Sequence, residues 1–333
     1  MPFTPVAPDQ TAEVALMAEI INTARAVDDP TEPAVHPEEL ALGLRYGWDL
    51  EPAQQSLYTP DGADSPVAVL GVNAPKRDNL KLITGDLTVH PQHRRQGHGS
   101  ALLAELLRQA GELNRSIVWL WSRDDDRAAE GFVTKHGFTK SSREARRLQV
   151  LAHVDHAAVD QIWLAAVAKS QSYQLERRSG VSTPDDVLSE LIEVTASIND
   201  APMGDLTFEP SKFDLQRLKD FETATGGRRQ RLYRVIARHR ETGVVGGHTM
   251  MAASDFQPER AMQLDTAVHR DHRGHRLGAL LKIDMMRWLA ETEPQATEVV
   301  TFNNADNSYM ISINEQIGYR LTGLFADWER TLA

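Results

Sequence analysis

The chain has 333 residues, 41% of them apolar and 25% charged, with a formal charge of −11 and no cysteine. That is a globular composition, long enough for two domains with separate cores, and without cysteine it has no disulfide, thiolate metal site or cysteine nucleophile. No apolar run is long enough to span a membrane, and the acidic balance argues against broad nucleic-acid binding while suiting a cationic small molecule such as an amine.

The opening MPFTPVAPDQTAEVALMAEI lacks the basic start and continuous apolar core of a signal peptide, so cytoplasm is the expected compartment. Residues 10–27 carry apolar side chains at helical spacing (Val14, Met17, Ile20, Ile21, Ala24), which predicts a helix. HPEELALGLRYG predicts a second, short helix from about His36, with Gly47 beyond its end. QQSLYTP, PVAVLGV and KLITGDLTV read as three strands, separated by turns at Pro60-Asp61-Gly62 and Lys76-Arg77-Asp78-Asn79. SALLAELLRQAGEL then reads as an amphipathic helix, SIVWLW as a buried strand, DRAAEGFVTKHG as a helix ended by Gly137, and SREARRLQVL as a strand.

Residues 153–170 form a helical connector, after which the order repeats. YQLERRS is a strand and TPDDVLSELIEVTASIN a long helix, with Thr183 expected as N-cap and Pro184 at the first helical position. A loop and a second helix ended by Gly226-Gly227 lead to the strands RLYRVIARH, TGVVGGHTMMAAS and AMQLDTAV. The helix GALLKIDMMRWLAE, the strand EVVTF, the helix NSYMISINEQIG and a strand through Trp328 close the chain.

The repetition is sharpest at one place. DLTVHPQHRRQGHGSALL, from Asp86, aligns with DTAVHRDHRGHRLGALLK, from Asp265, at an offset of 179 residues, and Gly137-Phe138 recurs downstream as Gly318-Tyr319. One fold is written twice. The expected division is a first domain over 1–152, a connector over 153–171 and a second domain over 172–333. In each copy an apolar strand runs into basic residues and glycine at a helix start. This suits a phosphate group: free amides of the first turn, the helix dipole and arginine all favour an anion there. The third glycine of a dinucleotide fingerprint is missing, and no triphosphate loop of the GxxxxGK[ST] type occurs. His90, His93, His269 and His272 flank the turns without the carboxylates of a zinc site, so no metal is expected.

The pattern Arg94-x-x-Gly97-x-Gly99, preceded by Val89-x-Pro91, resembles the pyrophosphate loop of the GNAT acyltransferase superfamily, and the resemblance covers both halves. It implies two tandem GNAT folds of mixed α/β type with acetyl-coenzyme A as ligand. The pyrophosphate would lie on the main-chain amides of Arg94, Arg95, Gln96, Gly97, His98, Gly99 and Ser100 in the first half. In the second it would lie on those of Arg273, Gly274, His275, Arg276, Leu277, Gly278 and Ala279. The pantetheine arm would pair along Leu87, Thr88 and Val89, or along Thr266, Ala267 and Val268, with Asn303 nearby. The stretch VWLWSRDDDRAAEGFVTKHGF followed by SREARRLQV is similar to the mycothiol-synthase branch of tandem GNAT enzymes.

The resemblance further implies direct attack of a neutral amine on a thioester, with the strand-end amide near Val268 or Val89 polarising the carbonyl. Asp265 or Asp86, three residues earlier and so on the opposite strand face, would take the proton of the ammonium. The family's general-acid tyrosine is replaced by Val133 in the first half and Asn314 in the second, which leaves Tyr309 and Tyr319 as substitutes. Asp265, Asn303, Asn307 and Asn314 make the second half the expected catalytic copy, with the first binding coenzyme A structurally or not at all. Arg276 stands where the first loop has Gly97. The acceptor loop would span Asn199 to Asp205, with Asp200, Asp205 and Glu209 receiving a cationic amine. The expected function is N-acetylation of a small amine by a monomer or homodimer. The alternatives are a silent acyl-coenzyme A sensor and mycothiol-synthase-like acetylation of an amino-sugar conjugate.

Overall fold

The computed structural model describes residues 2–332 and divides them between two compact units. Unit 1 holds 1–122, 128–141 and 327–333, while unit 2 holds 123–127 and 142–326, so the compact units exchange chain ends relative to the two sequence copies.

Unit 1 begins with β1 (Phe3–Pro5), a short strand that the alternation does not reveal, followed by α1 (Thr11–Asp28) and α2 (Pro37–Tyr46). Val14, Met17 and Ile20 of α1 share one buried face and pack on Leu57 and Val69. His36 caps α2, its Nδ1 accepting from the Glu38 N–H at 3.2 Å, and Pro37 supplies the preset first turn. β2 (Gln54–Tyr58), β3 (Ala68–Asn73) and β4 (Leu82–Val89) form an antiparallel meander. After α3 (His98–Glu112), β5 (Ile117–Arg123) joins β4 in parallel, giving the order β1-β2-β3-β4-β5. α4 (Arg127–Lys135) and the start of β6 (Thr139–Val150) follow. The chain's last residues sit beside β5: Trp119 Nε1 donates to Glu329 Oε2 and Trp328 Nε1 to Ser122 Oγ, both at 2.9 Å.

Unit 2 contains the rest of β6 and α5 (His156–Lys169), then β7 (Tyr173–Ser179), α6 (Asp185–Ala196), α7 (Leu215–Gly227), β8 (Gln230–His239) and β9 (Val245–Ser254). β10 (Arg260–Val268), α8 (Leu277–Thr292), β11 (Glu298–Asn304), α9 (Ser308–Gln316) and the part of β12 (Arg320–Thr331) up to Ala326 complete it. The strand order is β6-β11-β10-β9-β8-β7. One sheet face packs on α8 and α5 through Val235, Met251, Leu281, Met285 and Val299. The other packs on α6 and α7 through Leu188, Leu191, Leu218 and Ile236.

The start of α6 differs from expectation. The helix begins at Asp185 with Pro184 as the flanking residue, and Thr183 does not cap it. Thr183 gives both its hydroxyl (2.7 Å) and its N–H (2.9 Å) to Glu222, whose carboxylate pairs with Arg234 at 2.8 Å. Both charged side chains are buried, and a buried carboxylate needs its donors more than a helix end open to water needs its cap. α7 also runs through Gly226-Gly227, and the left-handed turn falls on Arg229 at φ 57°. Glu222→Ala should lower the unfolding free energy by about 3–5 kcal/mol by stranding Arg234, whereas Thr183→Val should cost about 1 kcal/mol. Urea titrations of the two variants measure the difference.

Candidate functional site

In each unit a parallel strand pair comes apart part-way. β4 and β5 are paired from Leu82–Ile117 to Gly85–Leu120, and β10 and β11 from Arg260–Glu298 to Met262–Val300. Beyond these points Asp86–Val89 stay in register with β3, and Gln263, Thr266, Ala267 and Val268 with β9, but none has a partner strand on the other side among the described residues. Main-chain groups left open in this way require a ligand or water. The pantetheine-side residues read from the sequence, Leu87 to Val89 and Thr266 to Val268, lie on these two open edges.

The edges differ. β4 keeps an unbroken register with β3, whereas β10 carries a bulge: Gln263 faces Met251 and Thr266 faces Thr249, so β10 holds one extra residue, at Leu264-Asp265. A bulge leaves backbone groups out of the ladder and re-aims side chains. Around it Thr249 and Thr266 share a hydrogen bond at 2.7 Å, and Gln263 Nε2 donates to Thr249 Oγ1 (3.0 Å) and Met250 O (2.6 Å). Asp265, in the bulge, has no hydrogen-bond or ion-pair partner among the described residues, and desolvation raises its pKa above the ordinary aspartate value. Asp86 keeps an accessible surface yet lies deep among protein atoms, and desolvation raises its pKa too.

Each open edge runs into a short 3-10 turn, Pro91–His93 or Arg270–His272. His90 and His269 cap these turns, Nδ1 accepting from Gln92 N at 3.3 Å and from Asp271 N at 3.4 Å. His93 stacks near His90, and His272 shares a 2.7 Å hydrogen bond with the Tyr173 hydroxyl. These histidines therefore shape the loops. Each loop then makes two left-handed residues before its helix: Arg95 (φ 63°) and Gly97 (φ 91°) in unit 1, Gly274 (φ 84°) and Arg276 (φ 56°) in unit 2. The backbone path is the same and the residues are swapped. Gly97 and Arg276 are the left-handed N-caps of α3 and α8, so Arg276 does not block the loop, and its side chain adds a cation at the helix start. Gly278 is needed for close packing, since a Cβ there would lie 3.2 Å from Ile313 Cδ1.

The first arginine of each loop turns away from the helix start. Arg94 Nε donates to Val89 O at 3.1 Å and its two terminal nitrogens grip Asp28 at 2.7 Å each. Arg273 repeats this, with Nε on Val268 O at 3.3 Å and Nη2 on Asp200. Asp200, read from the sequence as a receiver of a cationic amine, is engaged by Arg273 instead. Asp205 and Glu209 are exposed on the loop that follows.

The polar residues on β11 and α9 are tightly engaged. Asn307 caps α9, its Oδ1 accepting from Met310 N at 3.1 Å. Asn314 is fully enclosed, its Nδ2 donating to Asn303 Oδ1 at 2.7 Å while its own Oδ1 has no partner among the described residues. Of the two candidate tyrosines, Tyr319 is buried with a hydroxyl pKa driven far up by burial. Tyr309 is 64% exposed, and its hydroxyl lies 3.8 Å from where a Gly278 Cβ would be, over the start of α8. Sequence reasoning missed Asp28 and the backward course of Arg94 and Arg273, because these pairs join residues far apart in the chain.

The profile of the Acetyltransferase (GNAT) family matches residues 19–138. The mycothiol acetyltransferase of Saccharomonospora viridis is 26% identical over 240 residues, covering 70% of this chain and 70% of that protein. That of Kineococcus radiotolerans is 43% identical over 65 residues, 20% of each chain. Among solved structures, a tandem GNAT protein from the clavulanic acid biosynthesis pathway superposes over 99% of this chain and 98% of its own with a TM-score of 0.80 at 23% identity. A GCN5-related N-acetyltransferase from Sphaerobacter thermophilus matches 99% and 96% with a TM-score of 0.65 at 15% identity. With its repeated split strands and helix-start loops, the chain has the fold of a tandem GNAT protein, its residues 19–138 match the GNAT acetyltransferase family, and it is similar in layout to the mycothiol acetyltransferases.

Proposed function

We propose that the protein transfers an acetyl group from acetyl-coenzyme A to the primary amine of a small metabolite, with the chemistry in the second sequence copy (172–333) and a binding or degenerate role for the first (1–152). The observation that carries this reading is the bulged, open edge of β10 leading into the α8 loop. The residues fit the ligand: the amides from Arg273 to Ala279 surround a helix N-terminus suited to a diphosphate, and Thr266 to Val268 offer an unpaired strand edge to an amide-bearing arm. When bound, acetyl-coenzyme A supplies an electrophilic thioester carbonyl.

The protein's part is alignment and charge. With acetyl-coenzyme A bound, N–H groups on the open edge of β10 would be available to the thioester carbonyl oxygen and would stabilise the negative charge it gains. Asp265 accepts the proton that turns an ammonium into a nucleophilic amine, and its raised pKa makes it a stronger base than an exposed aspartate. Asn314 has no proton to release, and a thiol of pKa about 8.5 departs as the thiolate without an acid. Asn303 and Asn314 hold β11 and α9 together, a positioning role. A second reading, acetylation of a mycothiol precursor, draws support from the extent of similarity to the mycothiol acetyltransferases.

Thiol release from acetyl-coenzyme A, assayed over a panel of amines that includes amino sugars and cysteinyl conjugates, tests both. Turnover confined to the conjugates would favour the second reading, and no turnover alongside tight coenzyme A binding would leave a silent sensor. Asp265→Asn should lower kcat by about 100-fold and remove the acidic limb of the pH profile. The same change should raise Tm at neutral pH. A carboxyl whose folded-state pKa is raised lends stability only at low pH and loses it as pH rises through that pKa. A separate test concerns Arg276. Arg276→Gly relieves a left-handed arginine and should stabilise by about 1 kcal/mol. It should also weaken coenzyme A binding about tenfold by removing a charge-assisted hydrogen bond, as read by calorimetry.

A further inference from the structure

The strand-end arginines do something that a phosphate-binding role does not account for. Arg273 occupies the loop that meets α8, yet its guanidinium points back, with Nε on Val268 O at 3.3 Å and Nη2 on Asp200. Asp200 closes the 3-10 turn Ser197–Asp200 that follows α6, so it is the last residue before the stretch 201–214. That stretch is cinched at its base. Asn199 Nδ2 donates to Ser211 O and Asn199 Oδ1 accepts from Ser211 N, both at 2.9 Å.

Unit 1 builds both devices again. Arg94 bridges Val89 O and Asp28, the last residue of α1. Asn22 clasps Val35 through Nδ2 to O at 3.0 Å and N to Oδ1 at 2.9 Å. The two copies differ in most side chains and in loop length, yet the matching arginines, Arg94 and Arg273, each reach a carboxylate at the end of the first helical segment, and the matching asparagines, Asn22 and Asn199, each clasp the returning loop; the carboxylate itself comes from different places, six residues after Asn22 in one copy and one residue after Asn199 in the other. In a duplicated fold that is what a constructed linkage looks like, whereas a chance surface ion pair would differ between copies. The planar guanidinium presents separate nitrogens in a fixed fork, Nε to the strand-end carbonyl and a terminal nitrogen to the carboxylate, whereas an ammonium offers one nitrogen on a flexible stem.

We propose that Arg273 is a positioning residue, which ties the cofactor loop to the hinge of the 201–214 loop so that filling the first orders the second. The proposal rests on the reading of 273–279 as a coenzyme A loop and of Asn199 to Asp205, the first part of the stretch up to 214, as the acceptor loop, with Glu209 further along it. Arg273 leaves the diphosphate to the backbone amides, and its side chain governs the neighbouring loop.

The test uses the full chain, coenzyme A as probe, and the variants Arg273→Gln, Arg273→Lys and Asp200→Asn. Calorimetry gives affinity, and hydrogen exchange of the 200–214 amides is followed with and without coenzyme A. In the wild type, coenzyme A should slow exchange across this loop. In all three variants it should still bind, weakened by no more than about fivefold because the broken pair is an exposed one. Exchange of 200–214 should no longer respond to it, and lysine should not rescue the response. Arg273→Gln binding weakened by more than about tenfold would make the arginine a phosphate ligand, and slowing of the loop preserved in the variants would remove the linkage. Either result overturns the proposal. Absence of coenzyme A binding to the wild type would instead remove the functional reading beneath it.

Discussion

An interrupted backbone ladder organises each unit. A β-strand whose neighbour departs must find other partners for its amides and carbonyls. β4 after Gly85 and β10 after Met262 are in that position. The helix-start loops continue directly from the exposed edges, so one path runs from unpaired strand amides to unpaired helix amides. The surrounding elements keep that path fixed. α8 packs against the sheet through Leu281 and Met285, Gly278 lets α9 come close, and the buried Arg234–Glu222 pair anchors α7 behind it.

The two copies have diverged in what each keeps. Unit 1 retains the loop spelling closest to the family pattern, with glycine at position 97, but its β4 runs in regular register and Val133 stands buried on α4. Unit 2 keeps the bulge, an aspartate within it that has no partner among the described residues, and an asparagine-rich β11–α9 contact. A bulged strand that leaves a desolvated carboxylate without a partner among the described residues is unfavourable for folding, and such features persist where function needs them. The bridge from the strand-end arginine shows the opposite behaviour, since the contact recurs in both units although its aspartate comes from different positions.

Much of the fold was legible because it rests on local signals. The period of apolar residues located α1, α3 and α8, and the alternating runs located the meander strands, with ends off by up to three residues. The loops at Arg94 and Arg273 were legible because they repeat. What stayed hidden depends on partners distant in sequence. The bulge at Leu264-Asp265 exists only in register against β9. Thr183 looked like a helix cap until Glu222, brought in by α7, claimed its donors. Asn307 and Asn314 looked like groups around a reacting centre, and their roles as cap and buried brace appear only once α9 is packed. β1 is too short to show alternation, and the transfer of 327–333 into unit 1 is a matter of topology that no motif records.

The exchange of glycine and arginine between the two left-handed positions bears on how such duplicates are recognised. Position 95 holds arginine where 274 holds glycine, and position 97 holds glycine where 276 holds arginine, while the chain curls identically through both. Both loops thus turn left-handed at the same two places, and each does so with one glycine and one arginine. A search keyed to letters at fixed places will register the first junction and pass over the second, so ancient internal copies of this kind are better traced by their torsion angles than by their spelling.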